Sequence, residues 1–235
     1  MLSAGAAANR MPAHRTPRFA AVTGACIVLL LAWEWLGLDL RVMQLLGDAR
    51  GFPLRENWWL GTVFHEGLRN LSVLAFIALA LAVWKPFGFL RRHTRRERLQ
   101  MLIGTSVSLI LVSVLKHNSL TSCPWDLQQF GGVARHVPHW LWAVADGGPG
   151  RCFPSGHASS GFAYFAVALP GLLSATGEGR RRGRRIFAVV LLLGAVCGIT
   201  QVLRGAHYPS HVMWTALLCW SAALANHRLF SRMTQ

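Results

Sequence analysis

Apolar residues dominate six stretches of the chain, at about 19–38, 60–84, 99–116, 155–176, 186–204 and 208–227, and polar residues collect in the gaps between them. A bilayer core of about 30 Å takes roughly 20 residues of helix, so each stretch is a candidate span. The third is the shortest and ends at Lys116. Membrane barrel strands are nearer ten residues long and alternate strictly, whereas runs such as Ile27-Val28-Leu29-Leu30-Leu31-Ala32 do not alternate. The pattern predicts an all-α integral membrane bundle of six transmembrane helices. It divides the chain into a tail over 1–18, a six-helix domain over 19–227 with a long outer loop at 117–153, and a second tail over 228–235.

Composition excludes a soluble alternative. Hydrophobic residues make up 53% and charged residues 14%, with a mean hydropathy of +0.36; a soluble domain carries about 25% charged side chains. The net charge of +15 could suggest nucleic-acid binding, but the basic residues sit in short runs between apolar stretches. One set of gaps holds Arg10, Arg15 and Arg18, then Lys85, Arg91, Arg92, Arg95, Arg96 and Arg98, then Arg180, Arg181, Arg182, Arg184 and Arg185, then Arg228 and Arg232, against only Glu97 and Glu178. Lys and Arg accumulate on the cytoplasmic side, which predicts cytoplasmic N- and C-termini. The charge runs are topology signals with some anionic-lipid contact; no nucleic acid and no obligate protein partner is implied. Trp33, Trp35, Trp58, Trp59, Trp140 and Trp142 fall near the opposite ends, as an interfacial belt does. The start of the chain resembles a signal-peptide n-region, but the apolar run continues to Leu38 without a small-residue cleavage site and reads as a retained anchor.

Chemistry concentrates on the outer face. Connections longer than about 12–15 residues are usually functional or disordered, and Trp125, Trp140 and Trp142 in the loop between Lys116 and Pro154 favour packing, part of it as short interfacial helices. Pro154-Ser155-Gly156-His157 then opens the fourth helix, and Arg204-Gly205-Ala206-His207 leads into Tyr208-Pro209-Ser210-His211 at the start of the sixth. Proline in a first turn marks a helix start. Both helices would thereby direct free N–H groups and positive dipole ends outward, where phosphate binds, with Lys116 at the same depth. A neutral imidazole can attack phosphorus while a protonated one donates to the leaving oxygen. A lysine and amides then hold the charge that builds on the transferring group.

Lys116-x6-Cys123-Pro124, Pro154-Ser155-Gly156-His157 and Arg204-Gly205-Ala206-His207-Tyr208-Pro209-Ser210-His211 resemble the motifs of the type 2 phosphatidic acid phosphatase superfamily. Those motifs are Lys-x6-Arg-Pro, Pro-Ser-Gly-His and Ser-Arg-x5-His-x3-Asp, and the resemblance covers about residues 60–227. It implies hydrolysis of a lipid phosphate or pyrophosphate through a phosphohistidine, without metal or other cofactor. Lipid A, undecaprenyl pyrophosphate and phosphatidylglycerophosphate types of substrate fit, at the outer leaflet of a bacterial inner membrane with the site facing the periplasm. By position His207 would be the nucleophile, His157 the general acid, and Lys116, Ser155 and Gly156 phosphate ligands. Three positions depart from the pattern: Cys123 and Gln201 stand where arginines belong, and His211 stands where an aspartate should orient the nucleophile. Arg204, three residues beyond Gln201 and so on the same helix face, could replace one cation; Arg69, Arg135 and Arg151 are other candidates. Glu66, Asp126 or Asp146 could replace the carboxylate, or His211 could accept a hydrogen bond from His207.

Other readings stand beside these. Arg204 could snorkel to headgroups, and His65, Glu66 and Arg69 could be solvated at a helix start or belong to the site, since charged groups within spans are commonly functional. His207 and His211 have zinc-ligand spacing and could form a three-histidine site with His157, but Lys116 and Arg204 would repel the cation, so no metal is expected. Cys26, Cys197 and Cys219 lie in spans as small apolar residues, whereas Cys123 and Cys152 share the outer loop and form either a disulfide or two free thiols. The rival functions are lipid-to-lipid phosphotransfer and a catalytically inactive lipid-binding protein. A solute transporter would need more polar residues in mid-span than the helices contain.

Overall fold

The structure, a computed structural model, describes residues 16–232. Most of the tail expected over 1–18, with Arg10 and Arg15, and the last three residues of the tail over 228–235 therefore lie outside the described residues. What is described is helical, with no strand: α1 (Thr16–Trp35), α2 (Leu38–Leu46), α3 (Trp59–Ala82), α4 (Arg95–Asn118), α5 (Ser159–Phe162), α6 (Phe165–Leu172), α7 (Gly177–Leu203) and α8 (Pro209–Arg232).

The apolar stretches become helices with different bounds. The first is broken at Gly37, which adopts a left-handed φ of 62°, and α2 leaves α1 at 66°. Glycine accepts that conformation without the steric cost a Cβ imposes. The third begins four residues early because Thr94 and Glu97 form a reciprocal capping box, satisfying amides that a helix start leaves open. The fourth starts at Ser159 and is split at Ala163–Tyr164, so Pro154 to His157 form turns ahead of the helix rather than its first turn. The fifth begins well before 186 and carries the arginine run of 180–185 on its first turns, capped by Thr176.

By length and apolarity, α3, α4 and α7 can cross a membrane, and the bent pair α1–α2 makes a fourth. The count does not reach the six expected from the sequence. The α5–α6 segment is only a short apolar helix over Ser159–Leu172, about 20 Å at 1.5 Å per residue. α8 interrupts its apolar run with Ser210, His211, Thr215, Ser221 and Asn226. The exposed faces of α3, α4 and α7 are nevertheless rich in Leu, Ile and Val, a belt too apolar for water.

α5 and α6 form the centre. Phe162, Phe165, Ala166 and Leu169 are buried together with Val112 of α4, Val190 of α7 and Cys219 and Ala223 of α8. Their approach to α7 is set by glycines: a Cβ on Gly161 would lie 2.3 Å from the Gly194 nitrogen, and one on Gly171 would lie 2.6 Å from the Gly183 Cα. Small residues at helix interfaces let backbones meet this closely. At one end of the bundle Arg92 pairs with Glu178 and Arg96 donates to the Phe230 carbonyl. This places the 85–98 segment, the start of α7 and the end of α8 together. The loop over 117–153 folds over the opposite end. It contains two short 3-10 helices (Pro124–Asp126 and Gln128–Phe130) and buries Leu127, Phe130 and Ala134 against Met43, Phe52 and Tyr208.

Candidate active site

Lys116 ends α4, and its Nζ donates to the Arg151 carbonyl at 2.6 Å. Arg151 takes a left-handed φ of 59°, a conformation that costs a side-chain-bearing residue about 1–2 kcal/mol and recurs at functional sites. Next in sequence, Cys152 is bonded to Cys123, which ties the end of the outer loop to its beginning. Gly156 lies directly against the lysine: a Cβ there would be 3.1 Å from Lys116 Cδ. Ser155 is buried, its amide donates to the His211 carbonyl at 3.3 Å, and its carbonyl accepts from Thr215 Oγ1 at 3.1 Å. The Ser155 hydroxyl and His157 Nε2 are buried without hydrogen-bond partners. Buried polar groups are normally satisfied, so these two are the ones a ligand would serve.

His157 rests on α3. Its ring packs against His65 at 4.4 Å between centroids with a 35° tilt, and it is hydrogen-bonded to the Phe64 backbone. The first part of α3 (Trp59–Gly67) is a π-helix, a rare form found frequently at functional sites, and it supplies both neighbours. His207 sits just before α8, fully buried, with Nδ1 3.5 Å from Cys152 Sγ. His211, one turn on, points Nδ1 at the Cys152 carbonyl at 3.0 Å. The rings of His207 and His211 are 6.0 Å apart between centroids.

The pieces share one field. Burial is the largest force on His207 and pushes it well below the usual imidazole range, and Lys116, His157 and His65 push the same way. Burial also lowers His157 to about 4, with further lowering from His65, Arg204 and Arg69. Both imidazoles are therefore neutral at pH 7. Lys116 and Arg69 line a cavity of about 330 Å³ whose walls are Val73 and Phe76 of α3, Leu109 and Val112 of α4, and the serines 72, 113, 159 and 160. Arg204 reaches toward α3, donating from Nε to the Arg55 carbonyl at 2.9 Å and lying 3.8 Å from where a Gly61 Cβ would be.

The other candidates fall elsewhere. Glu66 is exposed on α3, with its charge felt by His65. Asp126 accepts from the Cys123 amide at 3.2 Å, and Asp146 accepts from the Ser122 amide and hydroxyl and the Gly148 amide. Both carboxylates hold the loop in shape. Arg135 donates its amide to the Asp146 carbonyl at 2.8 Å, within the same loop. Gln201 is buried with Nε2 unpartnered. The start of α8 is not a free anion site, because the Ser210 amide donates to Asp39 of α2 at 2.9 Å.

Cys123, Cys152 and His207 place possible ligand atoms within 4.8 Å of one another, but two sulfurs bonded to each other are not thiolates, and thiolate is the ligand form. The packing of His65 against His157 was invisible in the sequence beyond the presence of a polar residue in an apolar run. The carbonyls of Phe64, Arg151 and Cys152 leave no sequence signal.

No curated protein and no solved structure is similar enough to the chain to count as a match. Residues 98–234 match the PAP2 superfamily, a span that runs from the start of α4 through both histidine motifs. The chain belongs to the PAP2 superfamily, whose activity is that of a phosphatase on phosphate esters.

Proposed function

We propose that the protein is a metal-independent lipid phosphatase that removes phosphate from a lipid phosphate or pyrophosphate through a phosphohistidine. One observation carries this reading: two neutral imidazoles and an ammonium lie with buried, unpartnered polar atoms beside a cavity lined by Lys116, Arg69 and apolar side chains. A headgroup phosphate would meet Lys116, Arg69, Ser155 Oγ and His157 Nε2, with an acyl or prenyl chain against Val73, Phe76 and Leu109. Neutral His207 attacks phosphorus in line. His157 takes up a proton once the phosphate dianion sits beside it, because a nearby negative charge favours imidazolium; it then donates that proton to the leaving oxygen. In the second step His157 acts as the base that deprotonates water, which attacks the phosphohistidine and frees His207. Arg204 is a further cation at the α3 side.

The basic segments gathered at the Arg92–Glu178 end mark the cytoplasmic side. Six crossings are counted with α5–α6 as a short, protein-enclosed span and α8 as the last. Both termini are then cytoplasmic, and the site opens at the outer leaflet of a bacterial inner membrane, the periplasmic side. Substrates of the lipid A, undecaprenyl pyrophosphate and phosphatidylglycerophosphate types all suit such a cavity.

The test is phosphate release from a panel of these lipids in detergent, with and without chelator. Wild type is expected to release phosphate with chelator present, His207→Ala to lose about 10³-fold or more in kcat, and His157→Ala about 10²- to 10⁴-fold. Wild-type inactivity on every lipid, or variants equal to wild type, would overturn the reading.

A further inference from the structure

A histidine that attacks through Nε2 must carry its proton on Nδ1 and have its ring held, usually by an acceptor at Nδ1. The available carboxylates are engaged elsewhere: Asp126 on Cys123, Asp146 on Ser122 and Gly148, Asp39 on Trp33 and Ser210, and Glu66 at the surface. His211 does not serve through its Nδ1, which is directed at the Cys152 carbonyl. The residue that faces His207 Nδ1 is Cys152, with Sγ at 3.5 Å and its backbone also within hydrogen-bonding reach. A disulfide sulfur has lone pairs and no proton, so in this pair the imidazole is the donor.

We propose that Cys152, locked by its bond to Cys123, is the positioning residue for His207, accepting Nδ1–H on its sulfur and leaving the Nε2 lone pair for phosphorus. This rests on the reading of His207 as nucleophile. Cys152 suits the task because it is immobile. It is fully buried, its amide donates to the Thr121 carbonyl at 2.9 Å, and the Ala206 carbonyl lies 3.2 Å from its sulfur. The partner strand of the bridge is anchored to the nucleophile's own turn by the Trp125 amide on the Gly205 carbonyl at 3.0 Å. The disulfide thus fixes the distance between the acceptor and the ring. The acceptor is also uncharged, so it draws the imidazole toward imidazolium less than a carboxylate would, and the ring stays a nucleophile in a cation-rich pocket.

The experiment pairs kinetics with a measurement that needs no substrate. In ¹⁵N-histidine NMR of the detergent-solubilised protein, the signal absent from His207→Ala should report a proton on Nδ1 in wild type. The Cys123→Ser/Cys152→Ser variant should show a tautomer mixture there. On a phosphate lipid, assayed where circular dichroism shows the variant folded, kcat should fall about 10- to 100-fold through lost orientation while KM stays within about threefold. A proton on Nε2 in wild type overturns the proposal, as does a variant kcat within about twofold of wild type. If the variant does not fold, the wild-type tautomer decides. Wild-type inactivity on all lipids would remove the phosphatase reading, a failure distinct from either of these.

Discussion

At the scale of single residues, burial sets the ionisation of the histidines in the connecting segments. His157 and His139, both in connecting segments, are held at about 4 by desolvation against an ordinary 6.5. Each binds a proton in the unfolded chain between those values and not in the folded one. Stability is therefore full above about pH 6.5 and falls as the pH drops from there toward 4, by at most about 1.4 kcal/mol per pH unit for each group. Thermal unfolding in detergent between pH 7 and 5 should show the loss. His139→Phe, which keeps the stacking on Phe153 at 3.8 Å and removes the 3.4 Å contact with Glu34, should flatten the slope. Phosphate reverses the trend at His157, so inorganic phosphate should bind more tightly at pH 6 than at pH 8 with uptake of a proton, measurable by calorimetry in two buffers of different ionisation enthalpy. The residue types at this site were largely legible in the chain, because Lys116, Ser155, Gly156, His157 and His207 stand at motif spacing. What was not legible is what holds them: peptide carbonyls carry no sequence identity, and the contact of His65 with His157 depends on how α3 packs.

At the scale of elements, apolarity predicted that helices form but not where they break. Gly37 bends the first stretch and Tyr164 divides the fourth, and neither change interrupts the hydrophobic run that marks a span. The fourth stretch can be short and broken because α4, α7 and α8 surround it, so its ends meet protein rather than lipid. The glycine contacts hold this arrangement. Gly194→Ala would drive a methyl into the Phe162 ring, 2.2 Å from the nearest carbon. It should cost about 1–3 kcal/mol by overpacking, read as a lower thermal midpoint. Thr94→Ala should cost about 1 kcal/mol through loss of the α4 cap and leave phosphatase activity unchanged at permissive temperature, because the cap lies at the end of α4 remote from Lys116.

At the scale of the whole molecule, the arginine-rich end and the histidine-bearing end are opposite poles of one bundle. In right-side-out vesicles, a membrane-impermeant thiol reagent should label Val133→Cys and spare Arg181→Cys; the reverse pattern would invert the topology. One further property follows from how the cations are held. Among the described residues, Lys116, Arg69, Arg151 and Arg204 form no ion pair, and the carbonyls of Arg151 and Arg55 neutralise nothing. This group of unpaired cations is thus a standing electrostatic trap. It should draw phosphate esters faster in dilute buffer than in concentrated salt, and it attracts the liberated orthophosphate by the same charges. Turnover should therefore slow as free phosphate accumulates, with the enzyme throttled by its own product.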